Sequence, residues 1–343
     1  MKVAIYNPYL DTLGGGERYT MAFATSLKEA GYSVDVQWAD SGISTKLEER
    51  FGINLQGINF VKDVRIGDGY DLCFWVSDGS IPLLHARKNI LHFQVPFKGV
   101  NGKTLFNRMK LARVDKVICN SRFTKKIVDE EYGFAQKSIV IPPPVDTKKF
   151  RPKRKENIIA YIGRFSELKQ NKRPDVLVDA FSKFTKVVDK QWMLVLAGGV
   201  EIGVSEDYMI NLRAKIGDLN VKVVESPSFE QILEIVGRAR FFWSASGYGV
   251  DEEKEPERVE HFGITVVEAM AAGTIPLVYG AGGQKSIVED GVSGFLWKKK
   301  SELVAKTLDL IKSGELIKIS KSAQERAKNF SYEKFVEKVL ANL

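Results

Sequence analysis

The sequence predicts an α/β fold of two doubly wound, Rossmann-like parallel-sheet domains facing a cleft, and three observations lead there. Short apolar runs alternate with amphipathic stretches along the chain, the pattern of parallel strands covered by helices. The alternation is interrupted once, at "IVIPPPVDTKKFRPKRKEN" (139–157), where three prolines and a basic polar run read as a semi-rigid spacer. It then restarts with the same rhythm. At 343 residues the chain has room for two such domains, each with its own core.

In chain order, "VAIY" (3–6) is a first strand, followed by the glycine loop "LGGGER" (13–18) and an amphipathic helix. Further strands are expected at "SVDVQW" (33–38), "DLCFWV" (71–76), "NILHF" (89–93) and "DKVIC" (115–119). After the spacer, the second set is "NIIAYIG" (157–163), "MLVLAG" (193–198), "VKVVES" (221–226), "RFFWSA" (240–245) and "TIPLVY" (274–279). Residues 301–343 read as helical throughout. Domain boundaries follow: 1–150, 151–329 and a terminal helix at 330–343. Two facing doubly wound sheets place a ligand in the cleft at the carboxyl ends of their strands.

Hydrophobic content of 44% with 27% charged residues belongs to a globular chain, not a disordered one. "MKVAIYNPYL" fits a first strand and is too short in its apolar part for a signal peptide. Cys73 and Cys119 sit in apolar runs, as buried reduced thiols do, and a cytoplasmic location is expected. Two cysteines and three histidines in no ligand spacing exclude a zinc-site reading, and no metal is expected. Net charge is +8 and uneven: residues 85–126 hold eleven Lys/Arg against one acid, Asp115. Such a patch suits nucleic acid, a phosphorylated substrate or an anionic membrane. No nucleic-acid-binding signature accompanies it. Within it, "KTLFNRMKLAR" (103–113) mixes apolar and cationic residues, as a helix lying on an anionic bilayer does.

Three motifs carry chemistry. In "LGGGER" the glycines let backbone approach a ligand, and the following helix N-terminus favours an anion. A dinucleotide fingerprint would need a third glycine where Tyr19 stands, which argues against a nicotinamide dehydrogenase. In "YIGRFSELKQNKRPDVLVDAF" (161–181), Arg164 follows a strand end and Lys169 and Lys172 precede a helix, a placement suited to a diphosphate. Taken singly, each lysine is more often a surface residue. No D-x-D occurs in the chain, so side-chain cations would have to neutralise such a ligand. In "EHFGITVVEAMAAGTIPLVYG" (260–280), a short helix apolar on every side carries Glu268, with Glu260 in the loop before it. Gly263, Gly273, Pro276 and both acids rule out a membrane span. A buried glutamate needs a partner, and unpaired N–H groups at Gly263, Ile264 and Thr265 would face the same ligand.

The E-x7-E pair, followed by "AMAAGTIPLV" and "GGQKSIVEDGVSGFL", resembles the retaining glycosyltransferases of family 4, which have the GT-B fold. "GGGER" is similar to their N-domain glycine loop, "IPPPVDTKKFRP" to their interdomain segment, and residues 162–181 to their G-R-x-x-x-x-K-G motif. "NPYLDTLGGGER", "LHFQVP", "CNSRFT" and "EHFGI" are most similar to GDP-mannose-dependent lipid-linked-oligosaccharide mannosyltransferases. The resemblance implies that Arg164 and Lys172 hold the donor diphosphate, with Lys169 as alternative, and that Glu260 touches the transferred sugar. It implies that Phe262 to Thr265 (Phe262, Gly263, Ile264, Thr265) supply backbone amides, that Glu268 meets the nucleotide ribose, and that Gly15 and Gly16 lie against phosphate and acceptor. His92 matches a family histidine near the sugar; a lone histidine is as often a satisfied core residue. The implied activity is metal-independent sugar transfer from a nucleotide donor, with the N-domain binding the acceptor and the last helix crossing back to it. The implied acceptor is a lipid-linked glycan at the cytosolic face of a membrane, with no nucleic acid involved.

Two departures from the family pattern stand out: "PPPVD" lacks the usual glycine, and "GYGVDEEKEPERVEHFG" inserts an acidic loop before Glu260. Competing readings are a UDP-sugar-dependent glucosyl or N-acetylglucosaminyl transferase, a nucleotide-sugar 2-epimerase, and a non-catalytic nucleotide-sugar-binding subunit. The epimerase should lack the E-x7-E helix, and the subunit should have lost Glu260 or the cations.

Overall fold

The computed structural model describes residues 1–165, 170, 172–188, 191–199 and 206–343. Its strands are β1 (Lys2–Tyr6), β2 (Ser33–Gln37), β3 (Ile58–Val61), β4 (Leu72–Val76), β5 (Lys88–Phe93), β6 (Lys116–Cys119), β7 (Ser138–Val140), β8 (Glu156–Ile162), β9 (Met193–Gly198), β10 (Val221–Glu225), β11 (Ala239–Ser244), β12 (Ile275–Tyr279) and β13 (Phe295–Trp297). The helices are α1 (Gly15–Glu29), α2 (Ile43–Phe51), α3 (Leu105–Leu111), α4 (Arg122–Tyr132), α5 (Pro174–Phe184), α6 (Glu206–Ile216), α7 (Phe229–Arg238), α8 (Ile264–Ala271), α9 (Gln284–Ile287), α10 (Lys300–Ser313), α11 (Leu316–Ala327) and α12 (Tyr332–Leu340).

The chain divides into two units, the first formed by Met1–Pro144 with Tyr332–Leu343, the second by Val145–Ser331. The boundary falls before the expected residue 150 for a packing reason. Val145 N–H donates to Phe330 O at 2.9 Å, and Phe150, 2% exposed, meets Phe229 edge-on. The basic run after the prolines is therefore the start of the second unit rather than a free spacer.

In the first unit seven parallel strands run in the order β3-β2-β1-β4-β5-β6-β7. Ile5 lies opposite both Val36 and Phe74, so the central strands present apolar side chains to α1 in register. Strands buried on both faces need continuous apolar runs, which is why "VAI" and "LCF" read as they do. The terminal helix α12 belongs to this unit. Phe335 packs edge-on against Tyr19 at 5.1 Å, and the Lys116 ammonium donates to Asn342 O at 2.7 Å.

In the second unit six parallel strands run in the order β10-β9-β8-β11-β12-β13. Phe241 sits between Ile159 and Ile275 across the sheet. Phe165, Phe181, Phe184 and Trp243 are fully buried on one face. Each such side chain contributes ~1.5–3 kcal/mol of burial free energy. On the other face α8 lies against the sheet, with Val267, Ala269 and Met270 fully buried. The strand order reverses between β8 and β11, and in such sheets the ligand crevice opens at the carboxyl edge there. Each unit is thus a doubly wound parallel sheet, the fold class the sequence predicts.

Candidate active site

The reversal point of the second sheet gathers three connections. After β8, Gly163 leads to Arg164, whose side chain is exposed and whose carbonyl accepts from Tyr161 Oη at 3.2 Å. Before α5, Arg173 adopts φ 50°, a left-handed conformation uncommon for a residue with a side chain. Both ends of its guanidinium hold it there, with Nε and Nη2 each 2.9 Å from the Asp175 carboxylate. Pro174 at the first helical position then sets the helix direction. This geometry aims the preceding residue, Lys172, at Glu260: Nζ to Oε2 is 2.5 Å, and each side chain is 14% exposed. Lys172 also donates to Gln170 Oε1 at 3.1 Å. Burial by itself would raise the Glu260 carboxyl, but the Lys172 charge and hydrogen bond outweigh it. The carboxyl sits below its ordinary value and is ionised at neutral pH.

The backbone of Glu260 is fixed separately. Gly283 N–H donates to Glu260 O at 2.7 Å. A Cβ on Gly282 would lie 2.2 Å from Glu260 O, and one on Gly283 2.1 Å from His261 O, so only glycines fit. Gln284, fully buried, accepts from Ser244 Oγ at 2.7 Å and donates to Tyr279 O at 3.3 Å, pinning this turn to the ends of β11 and β12. Gly263 at φ 113° then turns the chain into α8. Phe262 buries its ring against Phe330 at 5.6 Å, so it presents only backbone outward. The helical ladder starts with Val266 N–H donating to Gly263 O at 3.1 Å, which leaves the N–H groups of Ile264 and Thr265 ahead of it. Ser320 Oγ closes the other end by donating to Gly273 O at 2.6 Å. Glu268 is 8% exposed and already engaged within the fold, so ligand hydroxyls would join or replace an existing contact.

In the first unit the glycine loop precedes α1. Glu17, 5% exposed, is used locally: its Oε2 accepts from Thr12 Oγ1 and Gly14 N–H, both at 2.8 Å, capping the helix. Gly15 is exposed. Gly16 lies against Gln94, whose Oε1 is 1.8 Å from where a Cβ would stand. His92 is fully buried in β5, stacked on Tyr19 at 4.2 Å, with Nδ1 2.9 Å from Ile118 O. Burial lowers it to about 3, so the ring is neutral. The structure thus places His92 in the core. α3 buries none of its residues: Leu105, Phe106 and Met109 are 77%, 66% and 66% exposed.

The family model described as glycosyl transferases group 1 matches residues 144–330, more than half of the chain. The chain belongs to this family. A second model, glycosyltransferase family 4, matches residues 13–149. An uncharacterized glycosyltransferase of Methanocaldococcus jannaschii is 28% identical over 225 residues, 65% of this chain and 57% of its own. A GDP-Man:Man(3)GlcNAc(2)-PP-Dol alpha-1,2-mannosyltransferase of Neurospora crassa is 29% identical over 266 residues, covering 68% of this chain and 45% of its own. The chain spans about half the length of such curated relatives. Among solved structures, a glycosyltransferase from Rickettsia africae superposes with TM-score 0.79 at 19% identity, over 99% of this chain and 97% of that one. Anabaena HepE in complex with UDP and glucose gives 0.75 at 20% identity over the whole of both chains. These likenesses show the fold.

Of the residues the sequence singled out, the fold brings Lys172, Glu260 and Phe262 to Thr265 together at one sheet edge. Arg164 lies at the end of β8 on the same edge, and Glu268 lies within α8. Lys169 lies outside the described residues. Two contributors went unseen. Gln284 is a buried polar residue whose side-chain partner, Ser244, lies 40 residues away in sequence. Glu252 sits in the acidic insertion, where its role depends on contacts that only the folded chain reveals. Among the described residues no cluster of three or more His, Cys, Asp or Glu is placed to hold a metal, and no helix is long and apolar enough to cross a membrane.

Proposed function

We propose that this glycosyl transferase moves a hexose, mannose from GDP-mannose, onto a hydroxyl of a lipid-linked glycan with retention of configuration. The observation that carries the sugar-nucleotide part is the Lys172–Glu260 pair beside the α8 N-terminus, at the reversal point of the second sheet. A cation, a carboxylate and helix-terminal amides there fit a diphosphate joined to a polyhydroxylated ring. Lys172 and Arg164 would stabilise the leaving diphosphate as its charge grows. Glu260 would accept from sugar hydroxyls, and Glu268 from the ribose. In a front-face reaction the acceptor oxygen bonds the anomeric carbon as the bond to the diphosphate breaks. The acceptor proton passes to that diphosphate, so no enzymic nucleophile is required.

The mannosyl and lipid-linked parts draw support from the printed name of the Neurospora relative and from α3. Its exposed Leu105, Phe106 and Met109 lie among Lys103, Arg108 and Lys110, with Lys110 over the Phe106 ring at 4.5 Å. That combination suits the surface of an anionic bilayer. A UDP-glucose donor is the second reading, favoured by the HepE complexes with UDP and UDP-glucose. A thermal-shift screen with GDP-mannose, UDP-glucose, UDP-N-acetylglucosamine, GDP and UDP in EDTA separates them. GDP-mannose should raise the melting temperature most. Stabilisation by UDP-glucose alone replaces the donor, and stabilisation by none of them refutes the proposal.

A further inference from the structure

The acidic insertion does more than border the site. Its two ends meet, since a Cβ on Gly247 would lie 2.9 Å from the Val259 side chain, so residues 247–259 form a closed loop. Asp251 organises the tip by accepting from Glu253 N–H at 3.0 Å and Lys254 N–H at 3.3 Å. From this loop two contacts reach the two halves of the Lys172–Glu260 pair. On one side Tyr248 O accepts from Arg173 Nη1 at 3.4 Å, next to Lys172. On the other, the Glu252 carboxylate accepts from Gly282 N–H at 2.6 Å and from the Lys285 ammonium at 2.6 Å. Gly282 and Gly283 form the turn that bears directly on the Glu260 carbonyl.

We infer that residues 247–259 are a strap that fixes the Lys172–Glu260 pair, with Glu252 as its positioning residue. A carboxylate that closes a backbone N–H and an ammonium at once makes strong charge-assisted bonds. Without it the turn 281–283 keeps its glycines and the Gln284 anchor to β11 and β12 but loses its tie to the loop, and Glu260 can drift from Lys172. A displacement of about 1 Å at such a pair costs on the order of 100-fold in rate. The consequence for catalysis rests on the donor-site reading above; the positioning of Glu260 does not.

The test compares Glu252→Ala, Glu252→Gln and the tip control Lys254→Ala. The Glu260 carboxyl is followed by its 13C shift against pH, assigned with Glu260→Gln, beside donor kcat/KM and melting temperature. In Glu252→Ala the Glu260 midpoint should rise by about half a pH unit or more as the Lys172 contact loosens. Glu252→Gln, which still accepts from Gly282 N–H, should restore part of it, and Lys254→Ala should leave it in place. Donor kcat/KM should fall roughly 10- to 100-fold in Glu252→Ala. If that variant does not fold, Lys285→Met, which removes the cation holding Glu252, should move the midpoint in the same direction. An unmoved Glu260 midpoint in the folded variants overturns the strap, even where sugar transfer proceeds. A moved midpoint in a protein that turns over no sugar nucleotide leaves the strap standing and removes the donor reading.

Discussion

Lys172→Met removes an ammonium and keeps most of the stem that packs beneath it. What remains is a Glu260 carboxylate 14% exposed, with its cation 2.5 Å away deleted. Breaking a buried pair costs about 3–5 kcal/mol, and the residual water access here lowers that to roughly 2–4 kcal/mol at pH 7. The pH dependence gives the sharper reading. In the wild type the Glu260 carboxyl lies below its unfolded value of 4.5, so its stabilisation is present above that pH and lost as pH falls through the folded value. In the variant burial, which raises the carboxyl, is opposed only by the smaller effects of His261 and the Ser246 hydroxyl, so the carboxyl rises and the variant is relieved as pH falls. The gap between the two proteins should therefore narrow from pH 7 to pH 4.5. Urea unfolding followed by tryptophan fluorescence measures it, since Trp192, Trp243 and Trp297 all lie buried in the second unit. The double variant Lys172→Met/Glu260→Gln should recover most of the loss at pH 7. A cost as large at pH 4.5 as at pH 7, with no recovery in the double variant, would refute the reasoning.

Glu268→Ala should raise donor KM by about 10- to 150-fold, since a hydrogen bond to a charged group is worth roughly 1.5–3 kcal/mol, while kcat changes less. Unchanged donor affinity in the folded variant removes Glu268 from the site. Arg164→Ala should depress kcat more than it raises KM, and wild-type transfer should survive EDTA; a strict Mg²⁺ requirement contradicts neutralisation by side chains. His92, held by burial at about 3 against 6.5 unfolded, gives stability that is complete above pH 6.5 and is lost toward pH 3 by up to about 1.4 kcal/mol per pH unit. His92→Phe should flatten that slope in urea titrations, and an unchanged slope would place the titration elsewhere. Finally, the protein should float with anionic liposomes at low salt and detach at high salt, and charge reversal at Lys103, Arg108 and Lys110 should abolish flotation while sparing donor binding. Equal flotation of the reversed variant would take α3 out of the membrane contact.

The strands that were legible in the sequence are mostly those with neighbours on both sides. Ten were read from apolar runs, and three were missed: β3, β7 and β13, each at the edge of its sheet. An edge strand of three or four residues, such as "SIV" at β7 or "FLW" at β13, is too short for any period to register. The α8 start at Ile264 was legible because a glycine, an apolar run and a glutamate inside it conflict unless the helix is buried at a site. The pairing of Lys172 with Glu260 was not, because the partners are 88 residues apart and nothing local specifies the match. Glu17 shows the converse: it is a carboxylate inside the glycine loop read as a ligand site, and the fold spends it on capping its own helix.

The return of α12 to the first unit sets an order of events during synthesis. The second unit is one uninterrupted segment, Val145–Ser331, whereas the first needs residues from both ends of the chain. Nascent chains usually mature from the N-terminus onward. Here the segment made first waits longest, because Tyr19 and the rest of that apolar face lack Phe335 and Val339 until α12 has emerged. The unit that begins second is the one able to finish first. Until then the earlier half is an incompletely covered surface, and that interval is the one in which it is most exposed to chaperones and to aggregation.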